Sequence, residues 1–248
     1  FDTHQKPDAF RLLVSPYHPD TLRYPESGSA ITPSDRLRHA LTWNVFRTLE
    51  QIAPSLWMRP LVARATGLPD GYNSAPHITA VACWSNLPPA PTAMLRRGRR
   101  HSVPVSAIVD TDDTVVTFLT PSPTELLDSV LSETAEGGLL DVAEATAHLA
   151  GTRSAYVSVV LPIEVEEQVW ASRVRRRAER VTRVIMSSGR SPESLRAMGA
   201  TTWNALHELL SEIAQSRFIS RPEQRCAMTA VDWMSDRLAI ATSRKRLA

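Results

Sequence analysis

Lysine is nearly missing from this chain. Of the 28 lysines and arginines in 248 residues, only Lys6 and Lys245 are lysines, so no mechanism that needs a central lysine is available. The two cysteines, Cys83 and Cys226, are too few for a disulfide framework and too far apart for a metal motif, and each is expected to be a small buried apolar residue. No apolar run approaches the roughly 20 residues that span a bilayer, so a cytoplasmic protein without membrane association is expected. HExxH, CxxC, GxSxG and a Gly-rich phosphate loop are absent as well, which leaves zinc hydrolases, serine hydrolases and NTPases without their residues. Phe1 is not an initiating residue, and the N-terminus is expected to be trimmed.

What is there is arginine, proline and an ordinary globular balance. Hydrophobic residues make up 43% and charged residues 22%, enough for a real core over this length. The formal net charge is only +2, and arginine-rich usage with 18 prolines is also the mark of a GC-rich genome, so composition alone does not identify phosphate binding.

The stretch Ser34–Leu61 organises the rest. Ser34 is placed to cap a helix, Asp35 sits at the positive end of its dipole, and Leu37, Leu41, Val45, Phe46 and Leu49 recur at helical spacing. The apolar stripe is wide enough to predict packing on more than one side. Pro54 is expected to stop this helix, and Ser55 to cap a shorter one closed by Gly67. Trp43, Trp57, Trp203 and Trp233 stand at apolar helical positions and are expected in the core.

Residues 1–33, rich in proline, read as an extended arm. His77–Trp84, Val103–Val109, Thr114–Leu119 and Ala155–Leu161 have strand composition, the middle two forming a hairpin with an acidic turn. Helices are expected over Thr124–Leu131 and Leu139–Leu149. After residue 162 the expectation is all-helical: Glu164–Met186, a short helix from Ser191 to Met198, Thr202–Gln215, and a last helix to Ala241. The order is α/β, a mixed sheet covered by helices over 34–161 with a helical C-terminal region over 162–248 packed on it.

That αβββαβ order resembles the core of the restriction-endonuclease-like PD-(D/E)xK superfamily. LTWNVFRTLE resembles the first-helix wording of several bacterial nuclease-like families, in which a glutamate at the helix end supports the metal; Glu50 is the matching residue. The same helix resembles that of uncharacterised actinobacterial proteins. In active members the hairpin carries an aspartate and then Glu-x-Lys, the carboxylates holding a divalent ion and the lysine activating water. Laid over VPVSAIVDTDDTVVTFLTP, Ser106 takes the aspartate position, Leu119 the glutamate and Pro121 the lysine, so the resemblance implies the fold without its chemistry.

Alternation puts Asp110 and Asp112 on one face if the strand continues, which would allow a shifted magnesium or manganese site with Glu50; aspartates serving turn chemistry and solubility are the plainer reading. Arg96, Arg97, Arg99 and Arg100, with His101, could grip a phosphate backbone or form a solvated loop. Arg173, Arg176, Arg177, Arg180 and Arg183 approximate one helical stripe, which suits nucleic acid or acidic neighbours. Neither His77 nor His101 has a partner at ligand spacing. The leading expectation is a catalytically degenerate nuclease-fold protein that needs no cofactor and acts as a nucleic-acid-binding or scaffolding subunit of a bacterial DNA-processing or anti-phage complex, with a protein partner or a second copy. The alternatives are an active magnesium- or manganese-dependent nuclease built on Glu50, Asp110 and Asp112, and a structural interaction subunit indifferent to nucleic acid.

Overall fold

Helix α1 (Pro33–Glu50) begins two residues earlier than Ser34 suggests. Thr32 is the cap: its hydroxyl accepts the Asp35 N–H at 3.1 Å, and the Asp35 carboxylate accepts the Thr32 N–H at 3.3 Å. This reciprocal box needs an acid three residues after the cap; Ser34 has Leu37 there, and its hydroxyl instead donates to Glu164. The computed structural model describes residues 32–68, 76, 79–91, 102–132, 138–187 and 194–247, with side chains through 239. The expected N-terminal arm over 1–33 lies outside them except for Thr32 and Pro33, which cap and begin α1.

Every residue of α1 from Ala40 to Leu49 is buried, as the wide apolar stripe predicts. Helix α2 (Pro54–Thr66) begins at Pro54, with Ala53 as an N-cap that makes no side-chain bond, so the expected Ser55 cap is not used. Proline in the first turn gives up an N–H that has no helical partner anyway. Gly67 ends α2 at φ +74°, as expected of a C-cap glycine.

Five strands follow in one mixed sheet: β1 (Thr79–Leu87), β2 (Val103–Thr111), β3 (Thr114–Leu119), β4 (Ser154–Leu161) and β5 (Leu195–Thr202), ordered 1-2-3-4-5. β2 runs antiparallel to both neighbours, while β3, β4 and β5 are mutually parallel. Parallel neighbours need crossovers. A short α3 (Pro123–Glu125), continued by a π turn over Leu126–Val130, and α4 (Leu139–Ala150) join β3 to β4; α5 (Glu167–Ser187) joins β4 to β5. Helices α6 (Trp203–Ala214) and α7 (Arg221–Leu247) complete the described chain. No helix among the described residues is long and apolar enough to cross a membrane.

The sheet separates two apolar cores. On one side Trp43, Phe46, Trp57, Phe118 and Leu210 pack with α1, α2, α6 and α7; on the other Leu126, Val142, Val157 and Val174 pack with α3, α4 and α5. All four tryptophans expected in the core are buried, Trp57 also donating from Nε1 to the Ile52 carbonyl at 2.9 Å. Cys83 is fully buried and Cys226 partly so.

The short helix expected to reach Met198 is instead strand β5, and α5 starts at Glu167 rather than Glu164. Local composition favoured neither state over LRAMGATT; pairing with β4 from Ala155↔Leu195 to Leu161↔Thr202 decides it. Close approach of α2 reinforces the choice, because a Cβ on Gly199 would lie 2.6 Å from Thr66 Cα and 2.7 Å from the Ala65 carbonyl oxygen. That carbonyl also accepts the Ser158 hydroxyl at 2.9 Å. The region after residue 161 therefore supplies a strand to the same sheet. Glu223 ties the α1–α2 corner to α7, accepting from the Ala53 N–H at 2.8 Å and the Ser220 N–H at 2.9 Å; bonds from Ser220 and Ala53 lower its pKa. Because the atoms facing Gly199 are backbone and cannot swing away, Gly199→Ala is expected to lower stability by about 1–3 kcal/mol, read as a fall in the urea midpoint at unchanged m-value.

Candidate functional site

The two cores are not kept apart by strict alternation along the first hairpin. Trp84 has φ +48°, rare for a bulky L-residue and costing on the order of 1–3 kcal/mol. Around it the faces exchange: Val81, Cys83, Trp84, Ala107 and Val109 join the α1 side, whereas Leu87, Val103 and Val105 join the α3 side. Trp84 lies parallel to Trp43, with ring centroids 5.3 Å apart and planes 9° from parallel, and His39 meets its edge at 6.5 Å. These contacts stabilise the strained residue in place.

Beside Trp84 opens a cleft of ≈ 390 Å³, lined by the end of β1, the start of β2, the end of β3, α3, and Arg38 of α1. It lies at the carboxyl ends of β1 and β3, the edge at which open α/β sheets take ligands. Ser106, Leu119 and Pro121 all line it. The fold thus brings to one cleft the three positions matched to Asp, Glu and Lys by resemblance, and none carries a charge.

The charged groups among the described lining residues are already matched. Arg38 Nη1 donates to the Thr120 carbonyl and to Glu125 at 3.0 Å, and Nη2 donates to Asp35 at 3.0 Å. Burial opposes ionisation of Asp35, but the Thr32 hydroxyl bond and the Arg38 charge outweigh it, and its pKa is lowered. Burial and then the charge of Arg38 push the His39 pKa down to about 4, so its imidazole is neutral at pH 7. The Ser106 hydroxyl accepts the Thr120 N–H at 2.8 Å, and Thr120 Oγ1 meets Thr42 Oγ1 at 3.2 Å, fastening the end of β3 to β2 and α1. Sequence reading missed Arg38 and Glu125. The available signals were Asp35 three residues before Arg38 and the Ser122–Glu125 capping box.

The acidic candidates are not brought together. Glu50 stands twelve residues beyond Arg38 on α1, about 18 Å along the axis. Its carboxylate accepts from Arg47 at 2.7 Å and from the Val81 N–H at 3.3 Å, while Arg47 also donates to the Val81 carbonyl at 2.7 Å. Arg47 is 1% exposed and lies over Trp43, so Glu50 acts as the counter-charge of a buried guanidinium. Asp110 pairs with Arg153, which follows α4 on the other side of the sheet. Asp112 is exposed in the turn, where Asp113 Oδ1 lies 2.9 Å from the Thr111 hydroxyl. Among the described residues no three His, Cys, Asp or Glu side chains converge as a metal site.

The arginine candidates divide. Arg96, Arg97, Arg99, Arg100 and His101 lie outside the described residues. Arg173, Arg176, Arg180 and Arg183 are exposed on α5, whose Val174, Ala178, Val181 and Ile185 face the core. Arg177 is not part of that outer stripe: it is buried and donates to the Ser132 carbonyl at 2.9 Å, one step around the helix from Arg176. Comparison of the chain with protein-family models, curated proteins and solved structures gives no match.

One consequence of the His39 environment is measurable. Its folded pKa of about 4 lies below the ordinary 6.5, so below pH 6.5 the unfolded chain binds a proton that the folded chain refuses. Its contribution is fully present above pH 6.5 and is lost as pH falls toward 4. Urea midpoints measured from pH 7 to 4.5 are expected to fall more steeply for the native chain than for His39→Phe.

Proposed function

We propose that this chain is a nuclease-fold protein without the superfamily's catalytic set, acting as a nucleic-acid-binding subunit of a bacterial DNA-processing or anti-phage complex. The observation that carries the reading is the shared cleft of Ser106, Leu119 and Pro121: the positions matched to a metal-and-lysine centre still converge, but carry a hydroxyl, an alkyl chain and an imino ring. The element order from α1 through β4, with a helical crossover between parallel β3 and β4, supports the fold half of the proposal. The exposed arginines of α5 support the binding half, because guanidinium groups pair with phosphates and release counterions.

Gel shift of duplex and single-stranded DNA at graded salt tests it. Binding is expected to weaken steeply with salt. The combined Arg173→Gln, Arg176→Gln, Arg180→Gln and Arg183→Gln variant is expected to weaken it further and to flatten the slope by roughly one unit for each phosphate no longer neutralised. No binding at low salt would sink the proposal, as would binding indifferent to salt. Plasmid incubated with the protein and magnesium or manganese is expected to stay intact; cutting abolished by Asp110→Ala or Glu50→Gln would overturn the non-catalytic half.

A further inference from the structure

We propose that the cleft beside Trp84 is a nucleobase site: it takes one unpaired heterocycle by shape and edge hydrogen bonds, with the sugar and phosphate left outside. The proposal rests on the nucleic-acid reading only for where the base comes from; the chemistry is argued from the cleft itself.

Three properties of the walls select that occupant. The first is shape. Trp84, Pro104, Leu119 and Pro121 give apolar surface around ≈ 390 Å³, room for a heterocyclic ring, and contact with such surface is indifferent to the identity of the base. The second is polarity. Ser85, Asn86 and Ser129 also line the cleft, and their side chains make no hydrogen bond with the other described residues. An alkyl or phenyl occupant would cover three polar groups without pairing them, which is costly. A heterocycle with donors and acceptors along its edge pairs them, and an amide can engage two atoms of one base.

The third property is charge. Arg38, the one cation among the described lining residues, is held by Asp35 and by Glu125, whose side chain is 54% exposed. A phosphate entering here would meet a compensated guanidinium and a solvated carboxylate, so the described walls favour a neutral guest. Strain at Trp84 supports a built site, since a bulky residue in the left-handed region persists only where the surroundings hold it. His39 and Trp43 do so from the side of α1.

The experiment is equilibrium dialysis of the full chain against labelled adenosine, guanosine, cytidine and thymidine, with inorganic phosphate as competitor, and fluorescence anisotropy with a ten-nucleotide single strand and its abasic counterpart of equal charge. Nucleosides are expected to bind at millimolar concentration or below, phosphate not to compete, and the abasic strand to bind about tenfold more weakly than the intact one. Ser129→Tyr, which fills the cleft, is expected to weaken nucleoside binding at least tenfold. Asn86→Ala, at an exposed position, is expected to weaken it severalfold and alter the ranking of bases, which keeps the proposal testable if Ser129→Tyr fails to fold. Absence of nucleoside binding at ten millimolar, competition by phosphate, or indifference to both variants would overturn it. So would equal binding of phenol or a phenylalanine peptide, which would reassign the cleft to a protein side chain. Nucleosides that bind while oligonucleotides do not would leave the site standing with a free nucleoside as its source, and would sink the nucleic-acid reading alone. DNA binding abolished in the α5 variant with nucleoside binding intact would separate the two surfaces.

Discussion

Burying a helix on every side forces its charged residues to find counter-charges inside the protein, and the way α1 does so shapes the rest of the molecule. Arg47, 1% exposed, has its charge matched by Glu50 and also donates to the Val81 carbonyl. Arg38, a few turns earlier, has its charge matched by Asp35 and Glu125 and donates to the Thr120 carbonyl. Each arginine would cost several kcal/mol if left unpaired. Meeting their demands straps α1 to the start of β1 at one end and to the end of β3 at the other. The sheet is thus held against α1 by polar contacts at its margins and by Trp43, Phe46 and Phe118 between them.

The cleft is a by-product of the same arrangement. Where α1 clamps the end of β3, the first hairpin changes the face it presents, and Trp84 absorbs the change with a backbone conformation few tryptophans adopt. Regular alternation would have carried Val103 and Val105 toward α1. Instead they pack against α3, and the surface between them and Arg38 stays open.

How much of this could be read from residues alone varies by element. The hairpin was legible because β-branched runs bracket an acidic turn, and α1, α4 and α6 because their apolar spacing is regular. β5 was not: Leu195–Thr202 has small and polar residues whose state is settled by β4 alongside and by the backbone of α2 against Gly199. Of the cleft, the nearness of Ser106 to the end of β3 follows from the hairpin, because two strands joined by a short turn fix their register locally. Arg38 and Glu125 were invisible as a pair because 87 residues separate them. Separation in sequence likewise hid the partner of Asp110, and a one-step turn of α5 removed Arg177 from the exposed stripe.

The pair formed by Arg47 and Glu50 has a consequence beyond neutralising a buried charge. Among the described strands β1 is the outermost of the sheet, and the backbone N–H and carbonyl of Val81 are both engaged by those two side chains. A strand from another molecule that sought to extend the sheet past β1 would need these same groups and would have to expel an ion pair to reach them. At Val81 that margin is closed to strand addition, and the ion pair of the buried Arg47 with Glu50 keeps it shut.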